Sequence, residues 1–175
     1  MSIFGRFLGK GRDRASMKPL YEAIVARARD PQWYLSGEVA DSQDGRFDMI
    51  ALVLSLVLIR LEAEGERFVG ESALLAEVFI DDIDGQLREI GVGDVVVGKH
   101  VGKMVGALGG RLTAYREAFA RNGDIGGALI RNLYRGEAPG RDALAFVETR
   151  LSGFFTQLKV SDAAAIVGGS LPGGA

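Results

Sequence analysis

Apolar residues recur along this chain at the three- and four-residue spacing of helices, and no series of segments alternates as strands would. Leu20, Tyr21, Ile24, Val25 and Ala28 form the first stripe, with Ser16 as its cap and Pro19 near its start. Asp30-Pro31 ends it, because the residue before a proline is driven out of the helical region. Gln32 to Asp44 reads as a connection whose Trp33-Tyr34 pair forms either a lid over the core or an exposed aromatic hot spot. A second helix opens at Gly45 and runs to about Glu64, where Gly65 caps it. Its stretch Met49 to Ile59, MIALVLSLVLI, is apolar on nearly every face and belongs inside a ring of other helices. At 11 residues, it is far short of the roughly 20 that cross a bilayer.

A third helix starts near Glu71 or Ser72, keeps Leu75, Phe79, Ile83 and Leu87 on one face, turns Asp81, Asp82 and Gln86 outward, and stops at Gly91. Asp94 caps a fourth, lined by Val101, Val105, Leu108, Leu112 and Tyr115. Gly123-Asp124 caps a fifth, from Ile125 to about Tyr134, and Asp142 starts a sixth with Val147, Leu151, Phe154 and Leu158 inward. Ser161 caps a short last helix to Val167. The expected fold is all-α: one bundle of about six to seven helices with a buried central helix. Residues 1–18 form a basic, partly flexible segment, 19–167 the helical domain, and 168–175 a flexible Gly/Pro-rich tail.

The composition fits that architecture. With 175 residues, 47% apolar and 25% charged, the chain is large enough for a single packed core. The absence of cysteine excludes disulfides, thiolate metal sites and a cysteine nucleophile. A net charge of −2 argues against a general nucleic-acid binder. The charge is segregated, however. Met1 to Lys18 holds five basic residues and one acidic, Glu62 to Asp94 ten acidic and two basic, and Val95 to Arg135 seven basic and two acidic. Such blocks either complement each other within the fold or polarise a surface toward a partner. The N-terminus lacks the apolar run of a secretory signal. Its Ile3, Phe4, Phe7 and Leu8, with Arg6 and Lys10, read as a frayed tail or as an interfacial membrane anchor.

Three chemical motifs fail on named residues. Gly93 to Lys99 spells GxxxxGK, but His100 stands where a phosphate loop needs Ser or Thr, and an acidic helix precedes it instead of a strand. Asp82, Asp84 and Gly85 resemble part of a calcium loop, but Ile80 and Gly91 fall at its first and last ligand positions. His100, the single histidine, lies one turn from Met104, and two ligands on one helix face cannot hold opposite sides of a haem. No cofactor or metal is expected. Glycines at 98, 102, 106 and 110 are more telling, since each costs up to about 1 kcal/mol of helix propensity. They imply close packing, on a helix of this chain or on a partner helix.

Several stretches resemble the ubiquinol–cytochrome c chaperone family. They are Leu20-Tyr21 with Ile24-Val25, Ala28-Arg29, Pro31 and Tyr34; then Gly45-Arg46-Phe47-Asp48-Met49-Ile50 with Leu56-Val57-Leu58 and Arg60-Leu61. Asp82 and Asp84 lead into Leu87-Arg88-Glu89-Ile90-Gly91-Val92-Gly93-Asp94, followed by Lys99, Met104, Gly110-Arg111 and Ala114-Tyr115. GRFDMI and LREIGVGD are specific in combination.

The resemblance implies an all-helical, non-enzymatic assembly factor for the cytochrome bc1 complex. Its mitochondrial relatives act with a second assembly factor on newly made cytochrome b, at the membrane and near the ribosome. The expected client is cytochrome b, or the partner is another bc1 assembly factor. The expected location is the cytoplasm, at the cytoplasmic face of the inner membrane, with peripheral contact through residues 1–18. The expected partner surface is the acidic helix, the turn and the next helix: Asp81, Asp82, Asp84, Arg88, Gly91, Gly93, Asp94, Lys99 and Lys103. Arg46 and Asp48, with Arg88, are an alternative internal ion pair fixing that hairpin, and Gly102, Gly106 and Gly110 have structural roles. The rival reading is a helical structural or regulatory module with another partner.

Overall fold

The computed structural model describes residues 14–89 and 94–173, without the side chains of 87, 94–101 and 104. Among the described residues, all regular structure is helical: α1 (Lys18–Ala28), α2 (Gln32–Leu35), α3 (Gln43–Glu62), α4 (Val69–Glu89), α5 (Asp94–Ala118), α6 (Ile125–Asn132), α7 (Arg141–Val160) and α8 (Ala163–Val167). Short 3-10 turns at Arg14–Met17 and Gly65–Phe68 lead into α1 and α4. The all-α bundle around a central helix is as the apolar pattern implies.

That central helix is α3. From Met49 to Leu58 every side chain is buried, because α1, α4, α5 and α7 all pack against it. Its start is defined by Ser42, whose Oγ accepts a hydrogen bond from the Gly45 N–H at 3.1 Å. Gly45 itself is confined. A Cβ there would lie 2.0 Å from the Ala40 carbonyl oxygen, so the incoming loop crosses directly over the first turn. Replacing Gly45 with Ala should therefore destabilise the fold by about 1–3 kcal/mol in urea titrations, as overpacking does. A wild-type midpoint would mean that the Ala40 backbone yields freely.

Some boundaries differ from expectation. Gln32–Leu35 within the expected connection forms α2, which buries Trp33. Ser16 lies in a 3-10 turn instead of capping α1, and Asp162, not Ser161, caps α8 by accepting from the Ala165 N–H at 3.0 Å. The 168–175 segment also departs from a free tail over its described part. Leu171 packs on the core, Gly169 lies against Pro19, and Arg27 Nη1 donates to the Pro172 carbonyl at 3.1 Å. Glycine content suggested freedom, but one leucine and one guanidinium suffice to hold these residues.

Arg60, though charged, is buried because it caps α7. Its Nε donates to the Leu158 carbonyl at 2.8 Å and its Nη2 to the Ser161 carbonyl at 3.1 Å, while Nη1 meets Glu64 at 2.7 Å. It thereby satisfies carbonyls that a helix end leaves without intrahelical donors. Among the described residues, no helix is long and apolar enough to cross a membrane.

Candidate functional site

The GRFDMI stretch occupies the first turns of α3 and points in two directions. Asp48 faces inward and is fully buried. Arg111 of α5 reaches its Oδ1 at 2.5 Å, and Arg135, just beyond α6, reaches its Oδ2 at 2.7 Å. Arg135 also meets Asp44 at 2.6 Å, and holds a left-handed backbone (φ 55°) to do so. One carboxylate thus ties α3, α5 and the α6 turn together. Burial pushes the Asp48 carboxyl above its ordinary pKa, and the two guanidinium groups pull it back only in part. The hydrogen bond to Asp48 raises the pKa of Arg135, and partial desolvation offsets only some of that gain.

Phe47 and Arg46 face the other way, toward a cleft of about 240 Å³ between α1, α3 and α4. Its floor is apolar: Tyr21, Phe47, Ile50, Phe79 and Ile83. Phe47 stacks on Phe79 with ring centroids 5.6 Å apart, and Tyr21 meets Phe79 edge-on at 6.4 Å. The rim is polar, with Arg29, Asp41, Arg46, Asp82 and Gln86. Tyr21 Oη donates to Asp82 at 2.7 Å and Gln86 to the same oxygen at 3.0 Å. Burial pushes the Tyr21 phenol up, so it stays a donor at any physiological pH. Two stretches far apart in sequence, the start of α3 and the acidic face of α4, therefore meet in one partly apolar cleft.

The expected partner residues divide among several places. Asp82 lines the cleft. Asp81 is exposed on α4 and pairs with Arg14 at 2.6 Å, alongside Glu77. Asp84 and Arg88 pair with each other along α4 at 2.7 Å. Lys103 is exposed on α5. Gly91 and Gly93 lie outside the described residues, as do the side chains of Asp94, Lys99, His100 and Met104. The charge blocks complement each other in part, since Arg14 meets α4 and Arg116 of α5 holds Glu62 of α3 at 2.7 Å.

Two expectations are corrected. Arg46 pairs with Asp41 at 2.7 Å and not with Asp48, because residues two apart on a helix point to opposite sides of it. Arg88 takes no part in the Asp48 cluster, whose cations are Arg111 and Arg135. The glycines of α5 also do not seat another helix of this chain. A Cβ at Gly102, Gly106 or Gly110 would meet nothing within 4 Å, and all three are exposed. The inward face of α5 is Leu108, Leu112, Tyr115 and Ala118 instead.

The residues that sequence reasoning missed are arginines. Arg111 and Arg135 neutralise Asp48, while Arg27 and Arg150 lie over Phe154 and Trp33 at 3.8 and 4.7 Å. One signal was available. A lone aspartate opening an otherwise apolar helix needs a cation, although only the fold says which of many arginines supplies it.

These features define a helical scaffold with a polar-rimmed apolar cleft, suited to binding polypeptide. The family model of the ubiquinol-cytochrome C chaperones matches residues 36–170. A solved structure, the crystal structure of the Cbp3 homolog from Brucella abortus, superposes with a TM-score of 0.76 at 30% identity, covering 88% of this chain and 86% of that one. No curated protein gives a significant match. The chain belongs to the ubiquinol–cytochrome c chaperone family.

Proposed function

We propose that this protein is a non-enzymatic assembly chaperone that binds cytochrome b while the cytochrome bc1 complex is built. The client surface is the acidic face of α4 with its adjoining cleft, continued through residues 90–93 onto the start of α5. In this reading Asp81, Asp82, Asp84 and Arg88 contact the client from α4, Gly91 and Gly93 from the segment that follows it, and Asp94, Lys99 and Lys103 from α5. The chaperone works at the cytoplasmic face of the inner membrane, and residues 1–18 supply a weak basic and aromatic contact with it.

The observation that carries the proposal is the meeting of Arg46, Phe47 and Ile50 of GRFDMI with Asp82 of α4 in a single cleft. Family-like residues that served folding alone would be expected in the core, whereas Arg46 and Asp82 sit on an accessible rim.

A deletion strain should lose most assembled bc1 complex and most of the haem absorption of cytochrome b, both restored by the wild-type gene. The charge-reversed pair Asp84→Lys with Arg88→Glu preserves the α4 ion pair and should restore assembly only partly. Normal bc1 content and haem spectra in the deletion strain would sink the proposal. Repeated capture of an unrelated soluble protein on the tagged wild-type chain would then favour a different helical interaction module.

A further inference from the structure

One buried polar group beside the Asp48 cluster is unused. Tyr115 is fully buried, and its Oη has no hydrogen-bond partner among the described residues. A buried hydroxyl left without a partner carries a desolvation cost that phenylalanine would not. Tyr115 stands one turn beyond Arg111 on the same face of α5, and a tyrosine on a helix covers the turn before its own Cα. The phenol therefore leans back toward the bond between Arg111 and Asp48. Burial raises its pKa most, but Arg111 also lowers it and Asp48 raises it, so both groups lie within its electrostatic reach. The two cations on Asp48 are held unequally. Arg111 is enclosed, whereas the Arg135 side chain is half exposed and reaches Asp48 from a left-handed backbone (φ 55°) that a non-glycine residue holds at a cost.

We infer that Tyr115 is the reserve donor for Asp48, which makes Arg135 a detachable clasp between the α6 turn and α3. When the Arg135 side chain swings into solvent, Asp48 Oδ2 loses its cation. The carboxylate then turns toward α5 and accepts the Tyr115 hydroxyl in a charge-assisted hydrogen bond, while Arg111 keeps Oδ1. The α3–α5 contact stays matched in both arrangements, and only the surface arm moves. Without the reserve donor, each departure of Arg135 would leave a fully buried carboxylate short of a partner, which is the expensive half of breaking a buried pair. Arg135 meets no such cost on its own side, since water and the exposed Asp44 are both within its reach. The device does not depend on which client the chain binds.

The test is a double-mutant cycle in the full chain, read by urea unfolding at neutral pH. Tyr115→Phe removes the hydroxyl and keeps the ring. In the wild-type background it should change the unfolding constant by less than about twofold, because the hydroxyl has no bond to lose. In an Arg135→Ala background it should raise that constant by about tenfold or more, the value of one hydrogen bond to a charged group. Carbon-13 labelling at the tyrosine ring carbon that bears the hydroxyl gives a second readout. Arg135→Ala should move the Tyr115 resonance and leave those of Tyr21 and Tyr34 in place. Equal effects of Tyr115→Phe in the two backgrounds overturn the inference. Two small effects would mean that the hydroxyl never engages Asp48, and two large ones that it is already bonded in the wild type, for instance through an ordered water. A Tyr115 resonance that Arg135→Ala leaves unmoved overturns it as well.

Discussion

Replacing Asp48 with Ala should lower the stability of this chain by about 3–5 kcal/mol, the cost of breaking a buried ion pair from one side. The carboxylate is fully buried, and its removal strands Arg111, whose side chain is only 14% exposed. Arg111 bonds Asp48 through Nη2, and its Nε has no hydrogen-bond partner among the described residues, so the guanidinium would be left almost unsatisfied. Arg135 is half exposed and can turn to water, so Arg135→Ala should cost only about 1 kcal/mol. Asp48→Asn should cost much less than Asp48→Ala, because the amide keeps an acceptor and removes a desolvated charge. The sign of its pH dependence follows from the raised Asp48 pKa. A carboxyl whose folded pKa exceeds its unfolded value of 3.8 contributes most below that value, and the contribution is lost as pH rises through the folded pKa. The stability difference should therefore move in favour of Asp48→Asn as pH rises from 3.8. Urea unfolding of wild type and the three variants at several pH values measures all of this. An Asp48→Ala variant within 1 kcal/mol of wild type would mean that the cluster does not hold α3, α5 and the α6 turn together.

How far these features could be read in the sequence depends on their range. The identity of α3 as the central helix followed from local pattern, because a run apolar on all faces has one destination. The caps at Asp124 and the length of α7 were likewise local, since a side chain three residues from the N–H it binds leaves its mark in sequence. The start of α4 was less legible, because Val69 and Gly70 extend the helix only with Phe68 buried beneath it. The spacing of the α5 glycines implied close packing on a helix of this chain or on a partner helix. The apolar stripe on the other side of α5 turns Gly102, Gly106 and Gly110 outward, which removes the first alternative. The cleft was illegible for a further reason. It joins Arg29, Phe47 and Asp82, each unremarkable in its own segment, through the packing of three helices.

Replacing Trp33 with Ala should destabilise the chain by about 3–5 kcal/mol, the range for removing a large aromatic from a core. Trp33 is fully buried although it lies in the short helix α2, where local propensity would not hold it. Its neighbours do so instead. Its Nε1–H donates to the Arg27 carbonyl at 2.8 Å, near the end of α1. The Phe146 ring meets it edge-on at 6.4 Å, and the Arg150 guanidinium lies 4.7 Å above it while pairing with Asp30 at 2.6 Å. The indole therefore joins α1, α2 and α7, and its loss opens a cavity where those three meet. Trp33→Phe keeps most of the ring volume and should cost less than half as much, since the Arg27 carbonyl still receives the Asp30 N–H at 3.3 Å. Trp33 is the only tryptophan, so unfolding of both variants must be followed by far-ultraviolet circular dichroism in urea. With ordinary domains holding only about 5–15 kcal/mol in total, the alanine variant should be close to unfolding at 37 °C. If it instead unfolds at the wild-type midpoint, packing on α3, α4 and α6 holds α1 and α7 without the indole, and the lid formed by α2 is dispensable for the fold.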